Sequence, residues 1–158
     1  MDPILSGLER QFLSLDTGSR GLLTKLDDGQ LFTKPREIAN SMAMFSCGEY
    51  ILRSAAMVEK TFGGITTRLW DDPFEWTLPE KLADKTSIFQ YLDEVEETRK
   101  KGFTFFKSDD DLRHHIPAPE KLVSLIDIFL DTLTQAAHFQ GRAFAVFQMI
   151  SDEKVPRL

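Results

Sequence analysis

The sequence predicts an all-α protein, a bundle of four helices. Three observations carry that expectation. Four stretches set apolar residues three and four apart, none alternates convincingly with period two, and 158 residues match one domain with its own core. A single domain over residues 1–158 is expected, with helices at about 3–26, 35–62, 87–106 and 119–150.

The first helix opens at Asp2-Pro3, an N-cap acid followed by a proline whose missing N–H costs nothing there. Ile4, Leu8, Phe12, Leu15, Leu22 and Leu26 form its apolar stripe, and Asp27-Asp28-Gly29 stops it. The second is expected to start near Pro35 and to end at Thr61-Phe62-Gly63-Gly64. Its stripe is Ile38, Met44, Phe45, Gly48, Ile51, Leu52 and Ala55, while Arg36, Met42, Ser46, Glu49, Arg53 and Lys60 lie off it. Gly48 costs about 1 kcal/mol against alanine, so a close helix–helix approach is expected there.

Residues 63–85 hold Pro73, Pro79, Trp70, Phe74 and Trp76, and are expected to pack over one end of the bundle. A short helical turn is expected at Pro79–Ala83. The third helix carries a capping-box signature, Ser87 with Gln90. Its inner stripe is Ile88, Leu92 and Val95, and its solvated face Asp93, Glu94, Glu96, Glu97, Arg99, Lys100 and Lys101. The fourth helix starts at Pro119, with Leu122, Ile126, Phe129, Leu133, Ala137, Gln140, Phe144 and Phe147 inward.

Composition removes several classes of function. With 13 Phe and 42% hydrophobic residues the chain has the apolar load to fold, which excludes a disordered segment. A net charge of −6 with no basic block makes a poor nucleic-acid binder, because phosphate neutralisation needs clustered Lys and Arg. No apolar run reaches the roughly 20 residues that span a bilayer, and the acidic start is no signal peptide, so no membrane association is expected. Cys47 is the single cysteine and forms no internal disulfide, which points to the cytoplasm.

The chemical inventory is thin. The sequence carries no glycine-rich phosphate loop, nucleophile elbow, His-Glu-x-x-His or cysteine-paired zinc motif. His114 and His115 are neighbours in an extended loop and point opposite ways, so a solvent-exposed or structural pair is expected. His138 lies about 140° from Leu133 on a helical wheel, among Asp127, Asp131, Thr134 and Arg142, a surface or interface position within reach of a local hydrogen bond. Cys47 falls on the inner stripe and has no cation or helix N-terminus to activate it. Met42, Tyr50 and Met57 on the outer side of the second helix form a candidate patch for a partner.

The order of these parts resembles a known family. A first helix leads through Gln30-Leu-Phe-Thr-Lys-Pro35 to a second opening Pro-Arg-Glu-Ile, and a Trp/Pro-rich connection leads to Ser87-Ile-Phe-Gln-Tyr-Leu-Asp-Glu-Val95. A polar loop then precedes a last helix containing Gln135-Ala-Ala-His-Phe-Gln-Gly-Arg142. Over nearly its whole length the chain is similar to the DinB/YfiT-like superfamily. That resemblance implies an up-down-down-up four-helix bundle, often a homodimer, and in many members a divalent metal such as Zn or Ni. Three histidines hold the metal, one on the second helix and two spaced His-x-x-x-His on the fourth, where residues i and i+4 share a face. Such members include metal-dependent thiol transferases and hydrolases.

Alignment on Gly141 puts Gln135 and Phe139 at the two last-helix ligand positions, with His138 at the non-ligand histidine between them. The family's opening on Pro35 puts Ser41 at the third. Serine and glutamine offer weak neutral oxygens and phenylalanine offers nothing, so no cofactor is expected. The expectation is a metal-free, non-catalytic binding or structural protein and a homodimer; the alternative that the resemblance leaves open is a metal-dependent thiol transferase or hydrolase. The pocket would be lined by Ser41, Gln135, Phe139, His138 and the aromatic connection and would take an unidentified small molecule.

Overall fold

The computed structural model describes residues 2–35, 44–74 and 78–157. Its elements in order are α1 (Pro3–Lys25), α2 (Cys47–Thr67), a 3-10 turn (Pro79–Lys81), α3 (Lys85–Phe103), a second 3-10 turn (Asp109–Arg113), β1 (His115–Pro117), β2 (Leu122–Ser124) and α4 (Leu125–Ile150). The protein is thus mostly helical, with one small antiparallel hairpin in which Ile116 faces Val123.

Each long helix contributes one phenylalanine to a shared cluster. Phe12 of α1, Phe62 of α2, Phe103 of α3 and Phe129 of α4 lie with ring centroids 5.2–6.1 Å apart. Edge-to-face geometry between Phe12 and its partners places positive ring edges on negative faces, which adds about 0.5–1.5 kcal/mol per pair beyond burial. A Cβ on Gly102 would collide with the Phe62 ring, so the glycine lets that ring pack against the α3 backbone.

The helix ends depart from the sequence expectation for identifiable reasons. Ser46 caps α2, so the helix does not reach back to Pro35, which lies in irregular chain. The Ser46 hydroxyl accepts from the Glu49 N–H at 3.2 Å, and the Glu49 carboxylate accepts from the Ser46 N–H at 2.7 Å. This reciprocal cap buries both residues, which the wheel had placed off the apolar stripe. The expected positions Ile38 and Met42 lie outside the described residues. At its other end α2 runs through Gly63 and Gly64 to Thr67, where Arg68 adopts a left-handed cap with φ 63°.

Asp84, rather than Ser87, caps α3, accepting from the Ser87 N–H at 2.7 Å. Residues 115–124 form the hairpin, so α4 starts at Leu125 and not at Pro119. Strands of three residues are too short to register as a period-two pattern. The inner face of α4 is accordingly turned: Ile128, Thr132, Ala136 and Ala143 join Phe129, Gln140 and Phe147 inside, whereas Ala137 is exposed and Leu122 lies exposed in β2. On α1, Leu5 rather than Ile4 is buried. Ile88, Leu92 and Val95 of α3 face inward as expected, and so does Arg99, which had been placed on the solvated side. The turn at Pro79–Lys81 forms where expected.

Candidate functional site

The face between α2 and α4 carries a row of small polar groups at heptad spacing. Cys47, Ser54 and Thr61 are successive sevenths on α2, and each reaches across to α4. The Cys47 thiol donates to the Ala143 carbonyl at 3.4 Å and the Ser54 hydroxyl to the Ala136 carbonyl at 2.8 Å. The Thr61 and Thr132 hydroxyls lie 2.6 Å apart. Thr132 spends its own proton on the Ile128 carbonyl at 2.7 Å, so Thr61 is the donor in that pair. This seam was not foreseen from the sequence; the seven-residue repeat of small donors is the signal that could have found it.

Where the seam reaches the hairpin, the two helices part into a groove of about 250 Å³. Its apolar side is Met57, Trp70, Val123 and Ile128; its polar groups are Lys60, Asp131 and Gln135, with Thr61 and Thr132 beneath. The Trp70 indole N–H donates to the Pro117 carbonyl at 3.2 Å, which ties the connection after α2 to the hairpin across the groove. A Cβ on Gly64 would overlap the Trp70 ring, so the glycine lets the indole lie flat on α2. The aromatic connection thus packs over this end of the helices, with Phe74 against Tyr91 at 5.5 Å; Trp76 lies outside the described residues.

The pocket expected from the sequence is only partly assembled. Gln135 is exposed and lines the groove. Phe139 is half-buried and lies beyond it, its ring 6.4 Å from Tyr50. His138 is exposed, 6.1 Å from Phe139, and the Thr134 hydroxyl donates to the Leu130 carbonyl instead of to the imidazole. Ser41 lies outside the described residues. The partner patch is corrected as well: Tyr50 is 1% exposed, Met57 is half-buried in the groove, and Met42 lies outside the described residues. Trp70 belongs to the aromatic connection expected to line the pocket, whereas Lys60 and Asp131 were not foreseen at a site, because a hairpin too short to read closes the groove around them.

Cys47 is the first residue of α2. Cys47 is fully buried, and loss of solvation pushes its thiol up to about 12. Burial, reinforced by the Glu59 carboxylate, likewise raises Tyr91, whose hydroxyl donates to Glu59 at 2.6 Å. His114 sits in solvent, 3.8 Å from Asp111, and His115 is exposed on β1. Among the described residues no three His, Cys, Asp or Glu side chains converge as metal ligands would. Among them, too, no helix is long and apolar enough to cross a membrane.

Comparison with protein-family models, with curated proteins and with solved structures returned no match for this chain.

Proposed function

We propose that the chain is a DinB/YfiT-like bundle that works as a metal-free, non-catalytic binding module, a homodimer holding a small molecule in the groove between α2, α4 and the hairpin. The order of contacts supports the up-down-down-up arrangement. Cys47 meets Ala143 while Thr61 meets Thr132, so α2 and α4 run in opposite directions. Glu59 meets Tyr91 and Phe62 meets Phe103, so α2 and α3 run together. Leu15 and Ser19 lie by Ser54 and Val58, while Phe12 lies by Phe62, so α1 opposes α2.

The groove is the observation that carries the binding role. Its size approaches the roughly 300–1,000 Å³ of small-molecule sites, and it combines apolar walls with a few convergent polar groups. Lys60 offers a cation, Asp131 a carboxylate, Gln135 an amide and Trp70 a ring, a set suited to a small planar polar ligand. A catalytic role would ask more of the site. The buried Cys47 thiol holds its proton, and among the described residues the exposed His138 makes no hydrogen bond to a Ser, Thr or Cys side chain. The dimer reading draws on α4, where Leu130, Ala137 and Gly141 are exposed on a helix otherwise rich in apolar residues.

A fragment screen read by amide chemical shifts tests this function. Hits that move Thr61, Trp70 and Gln135, and that weaken about tenfold in Gln135→Ala, are the expected result. A screen in which no fragment moves those residues would overturn it.

A further inference from the structure

The groove between α2, α4 and the hairpin carries two opposite charges that no described residue pairs. Lys60 stands on its α2 wall and Asp131 on its α4 wall, each immediately before one threonine of the Thr61–Thr132 contact. Among the described residues neither makes an ion pair, with the other or with a third group. Their own helices supply no partner. Ala56, Met57, Gly63 and Gly64 are the positions of α2 that neighbour Lys60 along its face, and none is acidic. Asp127, Ile128, Thr134 and Gln135 neighbour Asp131 on α4, and none is basic.

The neutral groups of the groove fall into acceptors, donors and an apolar wall. Thr61 donates to Thr132 and Thr132 to the Ile128 carbonyl, so the floor presents hydroxyl oxygens as acceptors. The exposed Gln135 amide makes no hydrogen bond among the described residues and adds a donor to Lys60. The Trp70 N–H is spent on the Pro117 carbonyl, so the indole offers the groove its ring. Met57, Val123 and Ile128 extend that apolar surface.

A plain anion would meet Lys60 but be repelled by Asp131, and a plain amine would meet the reverse. A ligand that carries both signs escapes both penalties. In an α-amino acid the ammonium and the carboxylate leave the same carbon as the side chain, which is then free to lie on the apolar wall. The flexible stem of lysine lets its ammonium follow the carboxylate. A groove of about 250 Å³ is several times the roughly 30 Å³ share of one water, which leaves room for a single aromatic ring.

We infer that the groove is a site for a zwitterion, an α-amino acid with an aromatic side chain. Asp131 and the threonine oxygens take its ammonium, Lys60 and Gln135 its carboxylate, and Trp70 and Met57 its ring. This zwitterion site rests on the groove being a small-molecule site at all, and the experiment separates the two.

The full chain is titrated with L-phenylalanine and followed by amide shifts. Phenylpropionate, which lacks the ammonium, and phenethylamine, which lacks the carboxylate, are titrated beside it. Saturable shifts at Thr61, Trp70 and Gln135 with a Kd on the order of 1 mM are expected for phenylalanine, and binding at least about tenfold weaker for either analogue. Lys60→Met should remove the advantage of phenylalanine over phenethylamine, and Asp131→Asn its advantage over phenylpropionate. If a variant fails to fold, the comparison of the three ligands on the unaltered chain decides. An advantage that survives both substitutions would contradict the roles of Lys60 and Asp131. Fragments that move the three residues while phenylalanine binds no better than its analogues would overturn the zwitterion site and leave the binding role standing. If no ligand of any kind moves them, both fall.

Discussion

Asp109 caps the first helix from the far side of the sequence. Its carboxylate accepts from the N–H groups of Ile4 and Leu5 at 3.0 and 2.9 Å, while its own N–H donates to Asp2 at 3.1 Å. Asp2 occupies the N-cap but makes no side-chain cap of its own. The donors at the start of α1 are therefore satisfied only when the 3-10 turn before the hairpin has docked. Replacing Asp109 with alanine should destabilise the fold by about 1 kcal/mol, the usual worth of an N-cap. Asp2→Ala should cost less, and a double-mutant cycle in urea should show the two coupled. Equal and additive losses would contradict this assignment.

The Thr61–Thr132 pair gives a second prediction. Thr132→Val removes the acceptor for a buried hydroxyl and should cost about 1–3 kcal/mol. Adding Thr61→Val should then recover part of that loss, because no orphaned donor remains. Chemical denaturation of the three variants checks it, and a double variant less stable than the sum of the singles would count against it.

Cys47 gives stability a defined pH dependence. Below the thiol's ordinary 9.0 both folded and unfolded chains hold the proton, and stability does not change on its account. Between 9.0 and about 12 the unfolded chain loses its proton while the folded chain keeps it. The folded state then binds more protons, so stability falls as pH rises, by up to about 1.4 kcal/mol per unit. Cys47→Ala should reduce that slope, as read from unfolding curves over roughly the two pH units above the ordinary thiol value. The same burial should keep the thiol unreactive toward alkylating reagents until the chain unfolds.

Glycine substitutions separate helix propensity from packing. A Cβ at Gly7 meets nothing within 4 Å, so Gly7→Ala should stabilise by about 0.5–1 kcal/mol. A Cβ at Gly48 would lie 2.7 Å from the Leu31 carbonyl oxygen, which accepts the Gly48 N–H at 2.7 Å. Gly48→Ala should therefore destabilise by about 1–3 kcal/mol despite the better helix former. Thermal melts of both variants are the check, and opposite signs are the expected outcome.

These results show where the sequence was readable. Long amphipathic stripes announced the helices, and Leu8, Phe12, Leu92 and Phe129 took the core positions that their spacing assigns. Ends and faces were harder. Gly48 was read correctly as a close approach, but what approaches is the chain at Leu31, not another helix. Local propensity cannot show which distant segment returns to a helix end. Glu49 and Arg99 look solvated on a wheel because their residue types are usually so; a reciprocal cap and an internal cavity bury them. The groove stayed hidden for a similar reason. Gln135 and the aromatic connection holding Trp70 were singled out, but Lys60 and Asp131 join them in a groove closed by a hairpin of three-residue strands.

The proposed function rests most heavily on the alignment that puts Gln135 and Phe139 at the ligand positions of the family the chain resembles. Elemental analysis of the untagged protein, purified without chelator, measures this directly. The account predicts zinc and nickel far below one equivalent per chain and no change in melting temperature when either metal is added. A stoichiometric metal that survives dialysis and stabilises the fold would contradict it.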